Sequence, residues 1–170
     1  MKKLISIFVA ISLLIFAIMF SGCSQRLIKC HNHCSKICYA MKEGDDEEFL
    51  RLVSDKKFNL NQYDALKIFE FFEGIRRTPL QEACYLENPY YVEKLLENGA
   101  DPNVILPRGR TCLIDIVALN PKYYNEYHYE IVRLLVEYGT DISIKDQDGF
   151  TAYDYAVKYN RTELYDLLKP

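Results

Sequence analysis

The sequence predicts an all-α solenoid of about four repeats, each a helix-turn-helix unit followed by a β-hairpin, with degenerate caps at both ends. Three observations predict it. Residues 130–156, EIVRLLVEYGTDISIKDQDGFTAYDYA, hold an apolar helical run through Ile131, Val132, Leu134 and Leu135, a stop at Gly139, a tight turn at Asp148-Gly149 and a second amphipathic run after Thr151. Thr78 and Thr111 open runs of the same kind, and 33 residues separate them. Each of these threonines stands where its hydroxyl would cap the first helical turn.

Thr78-Pro79-Leu80-Gln81-Glu82-Ala83 resembles the T-P-L-H-x-A signature of the ankyrin-repeat family, with Pro79 suited to the first helical position. Asn98-Gly99-Ala100-Asp101-Pro102-Asn103 is similar to the family's G-A-D-x-N turn. The resemblance implies an ankyrin solenoid whose concave side, made of hairpin tips and the first helix of each repeat, binds a protein.

From the N-terminus, Lys2 and Lys3 precede an apolar run, Leu4 to Phe20, and Ser21-Gly22 precede Cys23. Residues 1–22 read as an export signal. The segment resembles a bacterial lipoprotein signal, which implies a lipid on Cys23, a membrane anchor and an envelope location facing the periplasm, on the outer membrane if the source has one. An uncleaved membrane-spanning anchor is the alternative for the same run. Residues 23–35 would be a tether and residues 36–170 the repeat domain. Cys30, Cys34 and Cys38, with His31 and His33, load the tether with soft donors. An exported chain tends to oxidise such thiols, so Cys30, Cys34, Cys38, Cys84 and Cys112 are disulfide candidates, with a bridge from the tether to Cys84 or Cys112 the favoured geometry. Buried thiols and a metal site are the other readings, although the spacing fits no zinc module, and no metal or other cofactor is assigned.

The first repeat is degenerate: Ser35 stands where later repeats have Thr, and Gly44-Asp45 leads an acidic helix start before Phe49, Leu50, Leu52 and Val53. That acidic run reads as a solvated face. The insertion 64–73, DALKIFEFFE, enlarges the first hairpin and is expected to dock on a neighbouring repeat. In the third repeat Cys112, Ile114 and Ile116 replace the family's Pro, His and Ala. Thr111 and Thr151 lie 40 residues apart, and the surplus falls around NPKYYNEYHY, where Tyr123 and Tyr124 are contact candidates and some of the tyrosines are expected to cover helix ends. Leu164, Leu167 and Leu168 close the last repeat.

The chain of 170 residues carries a net charge of −3, so no basic excess points to nucleic acid. No phosphate loop, nucleophile elbow, dinucleotide fingerprint or HExxH occurs, and the chain is read as a non-enzyme. Cys84, at the apolar end of a core helix, reads as packing rather than as a nucleophile. The resemblance places Arg77, Arg108, Arg110, Gln147 and Phe150 on hairpins and Tyr85, Lys158 and Tyr159 on first helices, so these are the expected partner-binding residues. Three arginines in that set imply a partner with an acidic patch. The expected function is a protein-binding lipoprotein holding a periplasmic or envelope protein, with inhibitor or immunity protein as a subcase. The alternative is a thiol- or metal-handling lipoprotein built on Cys30–Cys38.

Overall fold

Threonine before a short apolar run is the recurring local rule, and it sets where each first helix begins. A computed structural model of the chain describes residues 33–57, 59–62 and 77–169. Thr78 accepts the Gln81 N–H at 3.3 Å while Gln81 Oε1 accepts the Thr78 N–H at 2.7 Å, a reciprocal cap on α3, Pro79–Tyr85. Thr151 and Asp154 repeat this arrangement on α7, Ala152–Lys158. Thr111 caps α5, Cys112–Val117, in one direction only, because Ile114 has no acceptor to return.

The first repeat departs from this rule. Its first helix, α1, runs His33–Glu43, so Ser35 lies inside the helix rather than at its cap, and the helix takes in the last three residues assigned to the tether. The remaining second helices are α2, Asp46–Val53, α4, Pro89–Glu97, α6, Glu126–Glu137, and the short α8, Tyr165–Leu168. Asn or Asp side chains cap α2, α4 and α6 from Asp45, Asn88 and Asn125. The acidic start of α2 is more than a solvated face, since Asp46 accepts the Tyr91 hydroxyl at 2.7 Å across the repeat boundary.

Helix ends follow a second rule. After α6 the Gly139 N–H reaches the Val136 carbonyl at 3.0 Å and the Thr140 N–H reaches the Leu135 carbonyl at 3.1 Å, with Gly139 at φ 84°. Glu87 and Asn160 take the same left-handed position, at φ 54°, after α3 and α7.

These units stack into two layers. First helices pack in the order α1, α3, α5, α7 and second helices in the order α2, α4, α6, α8, with each pair also packed within its repeat. Ile37, Ala40, Leu80, Ala83, Leu113, Ile116, Ala152 and Ala156 bury the first layer, while Phe49, Val92, Leu95, Ile131, Leu135, Leu164 and Leu168 bury the second. Ala83 and Ala156 allow close approach, and Ile116 is accommodated where the pattern has alanine.

Between repeats the chain forms fingers. Among the described residues these are hydrogen-bonded turns without a strand ladder. Asn61 Oδ1 accepts the Asp101 N–H at 2.8 Å, and Asn103 Oδ1 accepts the Asp141 N–H at 2.7 Å, so one Asn per finger ties it to the next. The insertion 64–73 lies outside the described residues, as do the signal segment, Cys23 and Cys30. Among the described residues no helix is long and apolar enough to cross a membrane.

Candidate functional site

Two arginines occupy the same place in successive repeats, one residue before the capping Thr. Arg77 Nη1 lies 3.3 Å from Glu82 Oε2, and Arg110 Nη1 lies 3.5 Å from Asp115 Oδ1, each reaching the acid five residues on. Their surroundings then diverge. The Arg77 guanidinium lies over the Tyr85 ring, 4.0 Å from its centroid, and Tyr85 is 65% exposed. Beside them, between α3 and α5, opens a cavity of about 170 Å³ whose wall includes Arg77, Tyr85, Cys84, Cys112, Leu106 and Asp115, together with Ile116, Leu119 and His128.

Arg110 is not part of that cavity's wall. Its Nη2 donates to the Tyr155 hydroxyl at 2.9 Å, its Nε lies 3.3 Å from Asp146 Oδ2, and Tyr155 donates to the same Asp146 oxygen at 2.7 Å. Asp146 also accepts the N–H groups of Asp148 and Phe150, at 3.0 Å and 3.1 Å. Burial pushes the Asp146 carboxyl upward, but Tyr155, those two backbone donors and Arg110 together hold it below the ordinary carboxylate value. Asp115 moves the opposite way: burial raises it despite the attraction of Arg110, Arg77 and Arg108. Of the three arginines expected to form a positive strip, two are ion-paired within the fold, Arg77 with Glu82 and Arg110 with Asp115 and Asp146. Arg108 is exposed, at φ 71°, and its carbonyl accepts the Gln147 N–H at 2.9 Å.

The remaining predicted contacts fall into two groups. Phe150, Lys158 and Tyr159 gather beside Tyr155, with the Lys158 ammonium 5.6 Å from the centroid of each of the three rings. Gln147 is exposed at the adjoining finger tip. In the tyrosine insertion the two candidates separate. Tyr123 is 62% exposed, whereas Tyr124 turns inward, with its ring 3.7 Å from the Arg161 guanidinium carbon and stacked on His128. Burial pushes the Tyr124 hydroxyl up to about 12. Tyr124 is thus a clamp on the fold, and Tyr123, Tyr127 and Tyr129 remain outside.

His128 and Arg161 carried no role in the sequence pattern and are both buried. Arg161 donates to the carbonyls of Ile116 and Leu119 at the end of α5. His128 Nδ1 accepts the Asn125 N–H at 3.2 Å, and Nε2 lies 3.5 Å from Glu87 Oε1. The signal that could have found His128 is its position three residues after the capping Asn125, the place of a reciprocal cap.

The thiols are placed differently from expectation. Cys38 is buried on the core face of α1, and Cys84 and Cys112 are buried and unbridged. The neighbouring Cys112 and burial raise the Cys84 thiol well above the ordinary value, and both cysteines line the cavity between α3 and α5. Cys30 and the side chain of Cys34, the tether's candidates for the expected bridge, lie outside what the structure describes. Among the described residues no group of three or more His, Cys, Asp or Glu side chains is arranged to hold a metal ion.

Residues 80–169 match the family model for ankyrin repeats, three copies. The chain belongs to the ankyrin-repeat family. It is 27% identical over 129 residues to an ankyrin repeat-containing protein of Treponema pallidum (strain Nichols), covering 76% of this chain and 38% of that protein. It is 32% identical over 75 residues to an ankyrin repeat protein of Rickettsia felis, covering 44% of this chain and 32% of that one. The chain therefore spans less than two fifths of either relative. Its fold is similar to the crystal structure of an ankyrin repeat domain from Acinetobacter baumannii AYE, with TM-score 0.61 and 22% identity over 78% of this chain and 61% of that one. Ankyrin repeats are protein-interaction scaffolds, and the all-α solenoid read from the sequence is the fold observed.

Proposed function

We propose that this ankyrin-repeat chain is a non-catalytic protein-binding module, tethered by a lipid on Cys23 to a bacterial envelope membrane and holding a periplasmic or envelope protein, with inhibition or immunity as a subcase. The observation that supports the binding site is the cavity between the second and third repeats, rimmed by an exposed Tyr85 that Arg77 holds in place. A rigid aromatic beside an apolar-walled cavity suits the capture of one apolar side chain of a partner. Arg108 and Lys158, both exposed, would meet acidic residues flanking that anchor; this narrows the acidic-partner expectation, because Arg77 and Arg110 are already paired. The anchor reading rests on residues 1–23 alone. The thiol- or metal-handling alternative rests on Cys30–Cys38, of whose cysteines the structure describes only the Cys38 side chain, buried on α1.

The test is capture of the partner from solubilised membranes by the full chain and by Tyr85→Ala. Tyr85→Ala is expected to lower capture roughly ten-fold or more with unchanged circular dichroism. Undiminished capture would move the contact to the Phe150, Lys158 and Tyr159 cluster or to Tyr123. For the anchor, labelled palmitate should enter the wild type and not Cys23→Ala. Membrane retention of an unlabelled Cys23→Ala chain would favour an uncleaved span.

A further inference from the structure

The wall of the cavity between α3 and α5 runs the length of α3, from Arg77, one residue before the capping Thr78, to Glu87, two residues past Tyr85. Leu106, Ile116 and Leu119 supply its apolar part. The charges at its two ends differ. Beside Arg77 every acid already faces a base: Glu82 lies 3.3 Å from Arg77 and 2.8 Å from Lys42, and Asp115 lies 3.5 Å from Arg110. Glu87 has no such partner. Its Oε2 accepts the Asn125 side-chain N–H at 3.2 Å, and its Oε1 lies 3.5 Å from His128 Nε2. Asn125 is neutral, and burial holds the His128 imidazole below its ordinary value, so the carboxylate is positioned without being balanced. Among the described residues no lysine or arginine forms an ion pair with it. Glu87 reaches this place through a left-handed backbone, φ 54°, at the position after α3 that glycine usually fills, and its side chain is 46% exposed.

We propose, resting on the reading that a partner's side chain fills this cavity, that the captured side chain is a lysine, its aliphatic stem against Leu106, Ile116 and the Tyr85 ring and its ammonium at Glu87. A lysine is apolar for four carbons and charged only at its tip, which matches an apolar lining that ends at one carboxylate. The carboxylate also selects lysine over arginine. A guanidinium fork seeks both oxygens of a carboxylate at once, and both Glu87 oxygens already face a nitrogen; an ammonium is a point charge that needs only one of them. Charge sets the direction of entry. Arg77 and Lys42 repel a cation from the first end, where the acids are already met, and Glu87 attracts it to the second.

The test uses the full chain in detergent with its isoleucine methyl groups isotopically labelled, so that Ile116 reports from the cavity wall by nuclear magnetic resonance. The probes are the acetylated methylamides of lysine, of norleucine, which has the stem without the charge, and of arginine. The lysine probe is expected to bind roughly three-fold or more tightly than norleucine, the modest gain due from one ion pair at a half-exposed carboxylate. Glu87→Gln should remove that advantage and leave norleucine binding unchanged, since glutamine keeps an oxygen for Asn125. If the variant weakens norleucine as well, salt decides on the wild type: a lysine advantage that does not fall as salt rises overturns the assignment. Norleucine binding as tightly as lysine, or a lysine advantage that survives in Glu87→Gln, overturns it too and leaves capture of an apolar side chain standing. Arginine binding more tightly than lysine also overturns it. An Ile116 methyl that moves with none of the probes overturns both the lysine assignment and the cavity as the binding site.

Discussion

The step from the second repeat to the third and the step from the third to the fourth begin from the same pattern and end as an open cavity and a closed seam. In both, an arginine precedes the capping Thr and reaches an acid five residues later. What differs is what the following repeat offers it. At the first step the next finger and helix supply Leu106 and Asp115; at the second, the matching positions supply Asp146 and Tyr155. Asp146 aligns with Leu106 because the Leu106 N–H donates to the Arg110 carbonyl just as the Asp146 N–H donates to the Phe150 carbonyl. A carboxylate and a phenol together hold Arg110, the first as an ion pair at its Nε and the second as the acceptor of its Nη2. A leucine and a shorter acid leave Arg77 to stack on its own Tyr85, with a cavity of about 170 Å³ beside it. Two side chains thus decide whether a repeat boundary is a seam or a site.

The largest way to break the comparison is to remove the centre of the seam. Asp146 is almost fully buried, takes hydrogen bonds from Tyr155 and two backbone amides and pairs with Arg110, so Asp146→Ala leaves three donors without their acceptor and a guanidinium without one of its carboxylates. We expect a loss of about 3 kcal/mol in urea unfolding, while the corresponding Leu106→Ala should cost less than about half of that. The carboxyl's lowered value carries a sign: its contribution is fully present above the unfolded carboxylate range and is lost as pH falls through the folded value. The acid limb of the stability curve should therefore flatten in Asp146→Ala, and an unchanged limb would mean that other carboxylates set it.

Converting the site into a seam sharpens the comparison. Leu106→Asp combined with Asp115→Tyr copies the second boundary onto the first. We expect the double variant to keep its melting temperature within a few degrees and to lose partner capture roughly ten-fold or more, because the new ring occupies the cavity. Retained capture at full strength would show that the cavity is not where the partner sits.

Gly109 tests the backbone of the seam. It lies at φ 72°, and a Cβ there would stand 3.3 Å from the Gln147 amide nitrogen, because the second and third fingers approach so closely. Gly109→Ala should cost about 1–2 kcal/mol, read by urea midpoint. Gly99, with nothing within 4 Å of a Cβ, should show only the backbone penalty.

Much of the architecture was legible because it is local. Thr78, Thr111 and Thr151 announce helix starts, Gly139 announces an end, and Arg77 to Glu82 spans only five residues. What escaped was set by packing between distant residues. Arg110 with Tyr155 and Arg161 with Leu119 lie more than 40 residues apart in sequence, and no periodicity marks such partners. The same blindness made Arg110 look like free surface, so exchanging Arg108 and Arg110 together for Glu would damage the seam as well as the surface. That Cys84 and Cys112 line one cavity depends on how α3 and α5 register against each other, which the pattern of one repeat does not contain.

The smallest effect separates the two ends of the open boundary. His128 is 1% exposed, caps α6 with Asn125 and stacks on Tyr124, so its imidazole is held in a site that disfavours charge. Burial is the main cause of its lowered value; Arg161 lowers it further, and Glu87 opposes both. A histidine held neutral in the folded chain contributes stability that is fully present above its unfolded value of about 6.5 and is lost as pH falls below it towards the folded value. The urea midpoint should thus decline modestly between about pH 7 and pH 5, in the pH window below that unfolded value. In His128→Gln, which keeps an acceptor for the Asn125 N–H, that slope should shrink while the acid limb set by Asp146 persists. Capture should follow the same slope only if protonated His128 disturbs the cavity floor that it helps to form, whereas capture that holds level to pH 5 would confine its role to the cap.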